Sequence, residues 1–134
     1  MYLIRGQHNL KLFKSRYPDV SLSGTIGNFD GLHLGHQAIL KKIKNNAKKF
    51  NSKTIVFFTE PHAAEYFSKV RDENKNPPPR ICPWREKVKL LKKSEIDFAC
   101  FLKFNNDLRT MSPEDFITQI LDSINLVSFT VGDD

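Results

Sequence analysis

Two histidines, His33 and His36, flank Leu34 and Gly35 in the run Thr25 to Gln37, TIGNFDGLHLGHQ. Imidazole N–H donors held against phosphoryl oxygens suit a displacement at phosphorus, because positioned donors stabilise the charge that builds there and no nucleophilic side chain is needed. Gly27 and Gly31 can take positive φ and let a ligand approach the backbone, and Gly35 leaves room beside the histidines. Asn28 and Asp30 are turn formers whose side chains can bond to nearby backbone. The spacing alone leaves two other readings open, an exposed pair and part of a zinc site. Zinc has little to build on: the cysteines, Cys82 and Cys100, form no C-x-x-C pair, and no H-E-x-x-H occurs. A Walker A loop and a G-x-G-x-x-G fingerprint are also missing.

The elements that must position these residues follow from hydrophobic periodicity. Leu22 to Ile26 is expected as a strand leading into Gly27, and Leu34, Ala38, Ile39, Leu40 and Ile43 mark one face of a helix over about Gly35 to Phe50. The first N–H groups of that helix lack intrahelical partners and carry the positive end of its dipole, so an anion is stabilised there. Thr54 to Phe58 reads as a buried strand ended by Pro61. The charged, proline-rich stretch from Ser68 to Pro83 is expected to be a loop over the site, with Pro77 to Pro79 extended. Beyond it come a helix from about Trp84 to Lys93, a strand from Phe98 to Leu102, a helix opened by an N-cap Ser112 with Pro113 behind it, and a strand from Val127 to Val131. Strands alternating with helical crossovers predict an α/β fold with a parallel sheet, helices on both faces and the ligand crevice at the carboxyl ends of the strands. Gly27, Pro61 and Gly132 all fall at that edge.

The segment Gly27 to His36, GNFDGLHLGH, resembles the signature of the H-x-G-H nucleotidyltransferase superfamily. Its Asn-Phe-Asp-Gly form is similar to that of bacterial FAD synthetases, the FMN adenylyltransferase domain of bifunctional riboflavin kinase/FAD synthetase. Further segments follow in the family's order: IRGQHNL from Ile4 to Leu10, Glu60-Pro61-His62 followed by Phe67, PPRICPWREKVKLL, MSPEDFI and the terminal TVGDD. The resemblance implies a Rossmann-like nucleotidyltransferase fold and transfer of AMP from ATP to FMN, giving FAD and pyrophosphate, with Mg2+ accompanying ATP and no dedicated protein metal site. Gly27, Asn28, Phe29, Asp30, Gly31 and Gly35 would bind ATP and its phosphates. His33 and His36 would act on the α-phosphate and the departing pyrophosphate, and Pro61, His62, Phe67 and Asp134 would face the flavin. Two departures stand out. Ala63 replaces a proline that commonly stiffens the loop after His62, and the family's arginine-bearing segment lies beyond the equivalent of Asp134. Residues 1–134 are therefore expected to be one FMN adenylyltransferase domain truncated at its C-terminal end, without a riboflavin kinase domain; the resemblance allows a fused one in the full-length protein.

Other readings are a different H-x-G-H enzyme, such as a pantetheine-phosphate adenylyltransferase or a cytidylyltransferase, and a non-catalytic nucleotide- or flavin-binding module. The charge weighs on a third. The chain carries a net +6, with Lys41, Lys42, Lys44, Lys48 and Lys49 crowding one helix. A solvated cationic face near a helix C-terminus accounts for them, and the aromatic stacking motif of a nucleic-acid binder is missing, so no nucleic-acid partner is expected. Hydrophobic content of 40% fits a folded domain, no run approaches the roughly 18 apolar residues of a membrane span, and the N-terminus lacks signal-peptide character. A cytoplasmic location without membrane partners is the expectation, and two unpatterned cysteines fit a reducing compartment.

Overall fold

A computed structural model describes residues 1–27, 34–60, 83–103 and 112–131. In chain order these form β1 (Tyr2–Arg5), α1 (Gly6–Arg16), β2 (Ser21–Ile26), α2 (Leu34–Lys49), β3 (Lys53–Glu60), α3 (Pro83–Lys93), β4 (Phe98–Lys103), α4 (Pro113–Ser123) and β5 (Asn125–Thr130). The strands make one sheet in the order β1-β4-β3-β2-β5, and every neighbouring pair is parallel.

Side chains alternate across the central strands, and each set feeds a separate core. Ile55 and Phe57 of β3 and Cys100 and Leu102 of β4 join Leu10 and Phe13 of α1, with Phe116 of α4 packed against them. Val56 and Phe58 of β3 and Ala99 and Phe101 of β4 face the other way, onto Leu40 and Ile43 of α2 and Leu91 of α3. A strand buried on both sides has no polar face to show, which is why Thr54 to Phe58 carries an unbroken apolar run. Helices α1 and α4 thus cover one face and α2 and α3 the other. The topology requires this: β2 to β3 to β4 steps one way along the sheet, whereas β1 to β2 and β4 to β5 step the opposite way. Crossovers of a single hand in opposite directions must lie on opposite faces.

Local chemistry fixes the joints. At the end of α2 the Ser52 N–H bonds to the Ala47 carbonyl at 2.8 Å, with Asn51 at φ 50 between them. At the end of α3 the Ile96 N–H bonds to the Leu91 carbonyl at 3.0 Å, with Glu95 at φ 64. Both are left-handed helix ends in which the residue after the turn folds back onto the helix. In the middle of β2, Gly24 lets the sheet close: a Cβ there would lie 2.7 Å from Ile55 Cγ2 and 2.9 Å from the Ile55 carbonyl oxygen. At the amino ends of β3 and β4, Asp97 accepts bonds from the Thr54 N–H at 3.0 Å and the Thr54 hydroxyl at 3.1 Å, and its own N–H donates to Thr54 Oγ1 at 2.8 Å.

The structure has five described strands where periodicity gives four. The addition is β1, with α1 behind it. Strand β5 also begins two residues earlier than expected, at Asn125. Its ladder with β2 is irregular, since Leu22 pairs with Leu126 and Ser23 with Ser128, so that Val127 is the extra residue. That bulge allows Leu126 and Phe129, three apart, to pack against the same core. The loop expected over 68–83 lies outside the described residues up to 82.

Candidate functional site

The sheet's topology singles out one place for a ligand. The chain leaves β2 toward β3 on one side, and β5 returns to lie on the other side of β2, so the direction of winding reverses between β2 and β5. In open parallel sheets the crevice outside the carboxyl ends of the strands at such a reversal is where ligands bind. Thr25 pairs in register with Thr130 across this seam, so Ile26 and Gly27 on one side and Thr130 and Val131 on the other form its mouth.

Gly27 extends the edge of the sheet by one bond beyond β2, its N–H donating to the Phe57 carbonyl at 3.1 Å. The chain then enters α2 at Leu34, so Gly35 and His36 lie in the first turn of the helix that follows the reversal. His36 is half-buried. No acidic residue stands in that first turn, which leaves the positive end of the helix dipole unneutralised by a carboxylate from the turn itself. Helix α4 presents its amino end at the same edge of the sheet but is satisfied internally. Ser112 Oγ accepts the Asp115 N–H at 3.1 Å, and Glu114 and Asp115 occupy the first turn. Helix α1 is likewise free of acidic residues in its first turn, yet it follows the edge strand β1, away from the reversal. Dipole, topology and imidazole coincide only at α2 among the described first turns.

Of the residues expected at the site, the structure describes Gly27, just past β2, and Gly35 and His36, in the first turn of α2. Strand β3 ends at Glu60, the residue before Pro61, and β5 ends at Thr130, just short of the terminal Gly-Asp-Asp; both ends lie at the same edge. Asn28, Phe29, Asp30, Gly31, His33, Pro61, His62, Phe67 and Asp134 lie outside the described residues. Sequence reasoning did not place Thr130 opposite Thr25 at the mouth of the crevice. The signal existed in the alternation of Leu126 and Phe129, but the bulge at Val127 breaks its period.

Among the described residues, several side-chain hydrogen bonds join elements away from this edge. Besides the Thr54–Asp97 pair, Ser23 and Ser52 share a hydroxyl contact at 2.7 Å and Asn46 Nδ2 donates to Ser128 Oγ at 3.0 Å. Cys100 is buried in the core shared with α1, where loss of solvation pushes its thiol up to about 12, so it is no candidate nucleophile. Among the described residues no cluster of three histidine, cysteine, aspartate or glutamate side chains could hold a metal.

Comparison with known proteins agrees with this geometry. A solved structure described as a macrolide-efflux protein from Streptococcus pneumoniae superposes with a TM-score of 0.68, covering 98% of this chain and 48% of that one; at 18% identity it speaks to the fold alone. The bifunctional riboflavin kinase/FMN adenylyltransferase of Buchnera aphidicola subsp. Schizaphis graminum is 38% identical over 100% of this chain. The proteins of the same name from Escherichia coli K12 and Haemophilus influenzae are 34% and 33% identical over the same span. The chain spans about two fifths of the length of these relatives, 40% of the first two and 41% of the third. The FAD synthetase family matches residues 19–134, from before β2 through the seam between β2 and β5, and the chain belongs to that family.

Proposed function

We propose that the chain is an FMN adenylyltransferase, transferring AMP from ATP to FMN. A phosphate oxygen of FMN attacks the α-phosphorus of ATP in line as the bond from that phosphorus to the bridging oxygen of the β-phosphate breaks. FAD and pyrophosphate result, and no covalent intermediate with the protein forms. The observation that carries the reading is the acid-free first turn of α2, bearing Gly35 and His36, in the helix that follows β2 at the winding reversal. The reading draws further support from family membership and from the activity in the relatives' names.

In this mechanism the helix N-terminus and His36 supply donors to the nucleotide phosphates, joined by His33. Gly27, Asn28, Phe29, Asp30 and Gly31 would bind ATP and its phosphates. Pro61, His62 and Phe67 after β3, and Asp134 after β5, hold the flavin side. Mg2+ would accompany ATP, held mainly by phosphates and water, and would neutralise phosphate charge; an acid-free turn suits such an arrangement. Because the chain's own contribution is placement and donors, loss of one donor lowers turnover without removing a reaction step. A riboflavin kinase, the activity paired with this one in the relatives' names, would supply the FMN. The cytoplasm is the proposed compartment.

Acceptor competition tests the assignment. With ATP and Mg2+, FMN should be consumed to FAD, and phosphopantetheine should neither be adenylylated nor slow the reaction. Adenylylation of phosphopantetheine in preference to FMN would assign the chain to a different acceptor.

A further inference from the structure

The fold collects on one face charges that the sequence leaves scattered. Helices α2 and α3 pack side by side on the same side of the sheet, through Leu40 and Ile43 on one and Leu91 on the other. Their outward sides, with the start of β3, carry Lys41, Lys42, Lys44, Lys48, Lys49, Lys53, Lys89, Lys92 and Lys93. All of these are exposed except Lys44, which is half-buried. Facing them from the described parts of the same surface are Glu95 and Asp97, and Asp97 is engaged by Thr54. The one ion pair these lysines make among the described residues is Lys44 Nζ to Glu95 Oε2 at 3.8 Å. Among the described residues, the nine lysines of this face outnumber its two acids by seven.

The helix dipole accounts for the last-turn lysines, Lys48, Lys49, Lys92 and Lys93, and for no others. Lys41, Lys42, Lys44, Lys53 and Lys89 lie outside those turns. Helix α2 contains no acidic residue at all, so its lysines have no i,i+4 partner within it, and Lys44 and Lys48 repel at that spacing. Against the expectation from sequence that no nucleic acid binds, we propose that this face docks a polynucleotide through its phosphodiester backbone, without sequence preference, separately from the crevice at the carboxyl edge. The complementarity is that of a line of cations, running about 12 Å from Lys41 to Lys49 along α2 at 1.5 Å per residue and continued by the lysines of α3, to a chain of regularly spaced phosphates. An anionic membrane fits less well. A membrane-seated helix buries an apolar flank, and the described outward side of these helices shows a single exposed large apolar residue, Phe50, beneath the Lys49 ammonium at 5.5 Å. A lone aromatic among lysines instead offers a base one ring to stack on.

The test is anisotropy of a labelled 20-nucleotide oligouridylate titrated with the whole protein at several salt concentrations. Three proteins are compared: the wild type; a face variant carrying Lys41→Gln, Lys48→Gln and Lys89→Gln; and a control carrying Lys11→Gln, Lys14→Gln and Arg16→Gln on α1, which removes the same charge from the opposite side. Wild type should bind with log affinity falling linearly in log salt. The face variant should lose at least about tenfold and flatten the slope by roughly two, at about 0.7 per phosphate contact on a single strand. The control should stay within about threefold. Equal losses in both variants would reduce the effect to net charge and overturn the proposal, as would no salt-dependent binding by the wild type. Co-sedimentation with phosphatidylserine vesicles without any oligonucleotide binding would also overturn it, in favour of a lipid surface.

Discussion

His36 occupies the position where one side chain should matter most to turnover and least to folding. It lies in the first turn of α2, half-buried, and belongs to neither core. His36→Ala should therefore lower the rate of FAD formation by about a hundred- to a thousandfold, the usual loss on deleting one donor to a developing oxyanion. The thermal unfolding midpoint should stay within a few degrees of wild type; a rate within threefold of wild type would take the imidazole out of the mechanism. Cys100 shows the opposite case, a reactive residue type made inert by its surroundings. Burial raises its thiol from the ordinary 9.0 to about 12. Below pH 9 both folded and unfolded states hold the proton and its contribution is constant. As pH climbs from about 9 toward 12 the unfolded state ionises first, so this thiol's contribution to stability falls across that window. In the native protein at pH 8, alkylation at Cys100 should be at least tenfold slower than after denaturation, and equal rates at that site would contradict its placement in the core.

Helix ends and strand joints, rather than the apolar runs, decide how much of the fold the sequence discloses. Strand β3 and helix α2 were legible because their apolar residues are long in run or regular in spacing, and both were placed within a residue or two. The Ser112 cap was legible as well, because an N-cap side chain acts locally and its bond to Asp115 needs no tertiary help. Strand β1 was not: it has four residues, only Ile4 is buried, and nothing in Tyr2 to Arg5 alternates. Helix α1 was hidden for a related reason, since its inward contribution is Leu10 and Phe13, with Leu12 exposed between them. The bulge in β5 is a tertiary accommodation that no period records. At the site, the glycine-rich run and its two histidines stand out in the sequence, but the winding reversal between β2 and β5 depends on where β5 lands. Glu95 gives a prediction at this scale. It sits in the left-handed position after α3, where a side chain with a Cβ costs roughly 1–2 kcal/mol relative to glycine, and its contact with Lys44 is exposed and weak. Glu95→Gly should raise unfolding stability by about 0.5–1 kcal/mol in a urea titration, whereas a decrease would mean that Lys44–Glu95 outweighs the backbone strain.

The molecule as a whole divides its work between the two ends of one sheet. At the amino end, Thr54–Asp97 and Ser23–Ser52 fasten strands and helix ends together. The opposite edge has the carboxyl ends of β2, β3 and β5 and the amino end of α2. Two separate cores, one on each face of the sheet, hold the strands and helices between these ends. The basic α2–α3 surface lies on one face of the same sheet. The most direct test of the account is chromatographic separation of flavins after incubating the protein with FMN, ATP and Mg2+. The account predicts FAD, one pyrophosphate for each FAD formed, and no product when riboflavin replaces FMN, because the attacking oxygen belongs to the FMN phosphate. FMN recovered unchanged under conditions where the protein adenylylates another phosphate acceptor would contradict it.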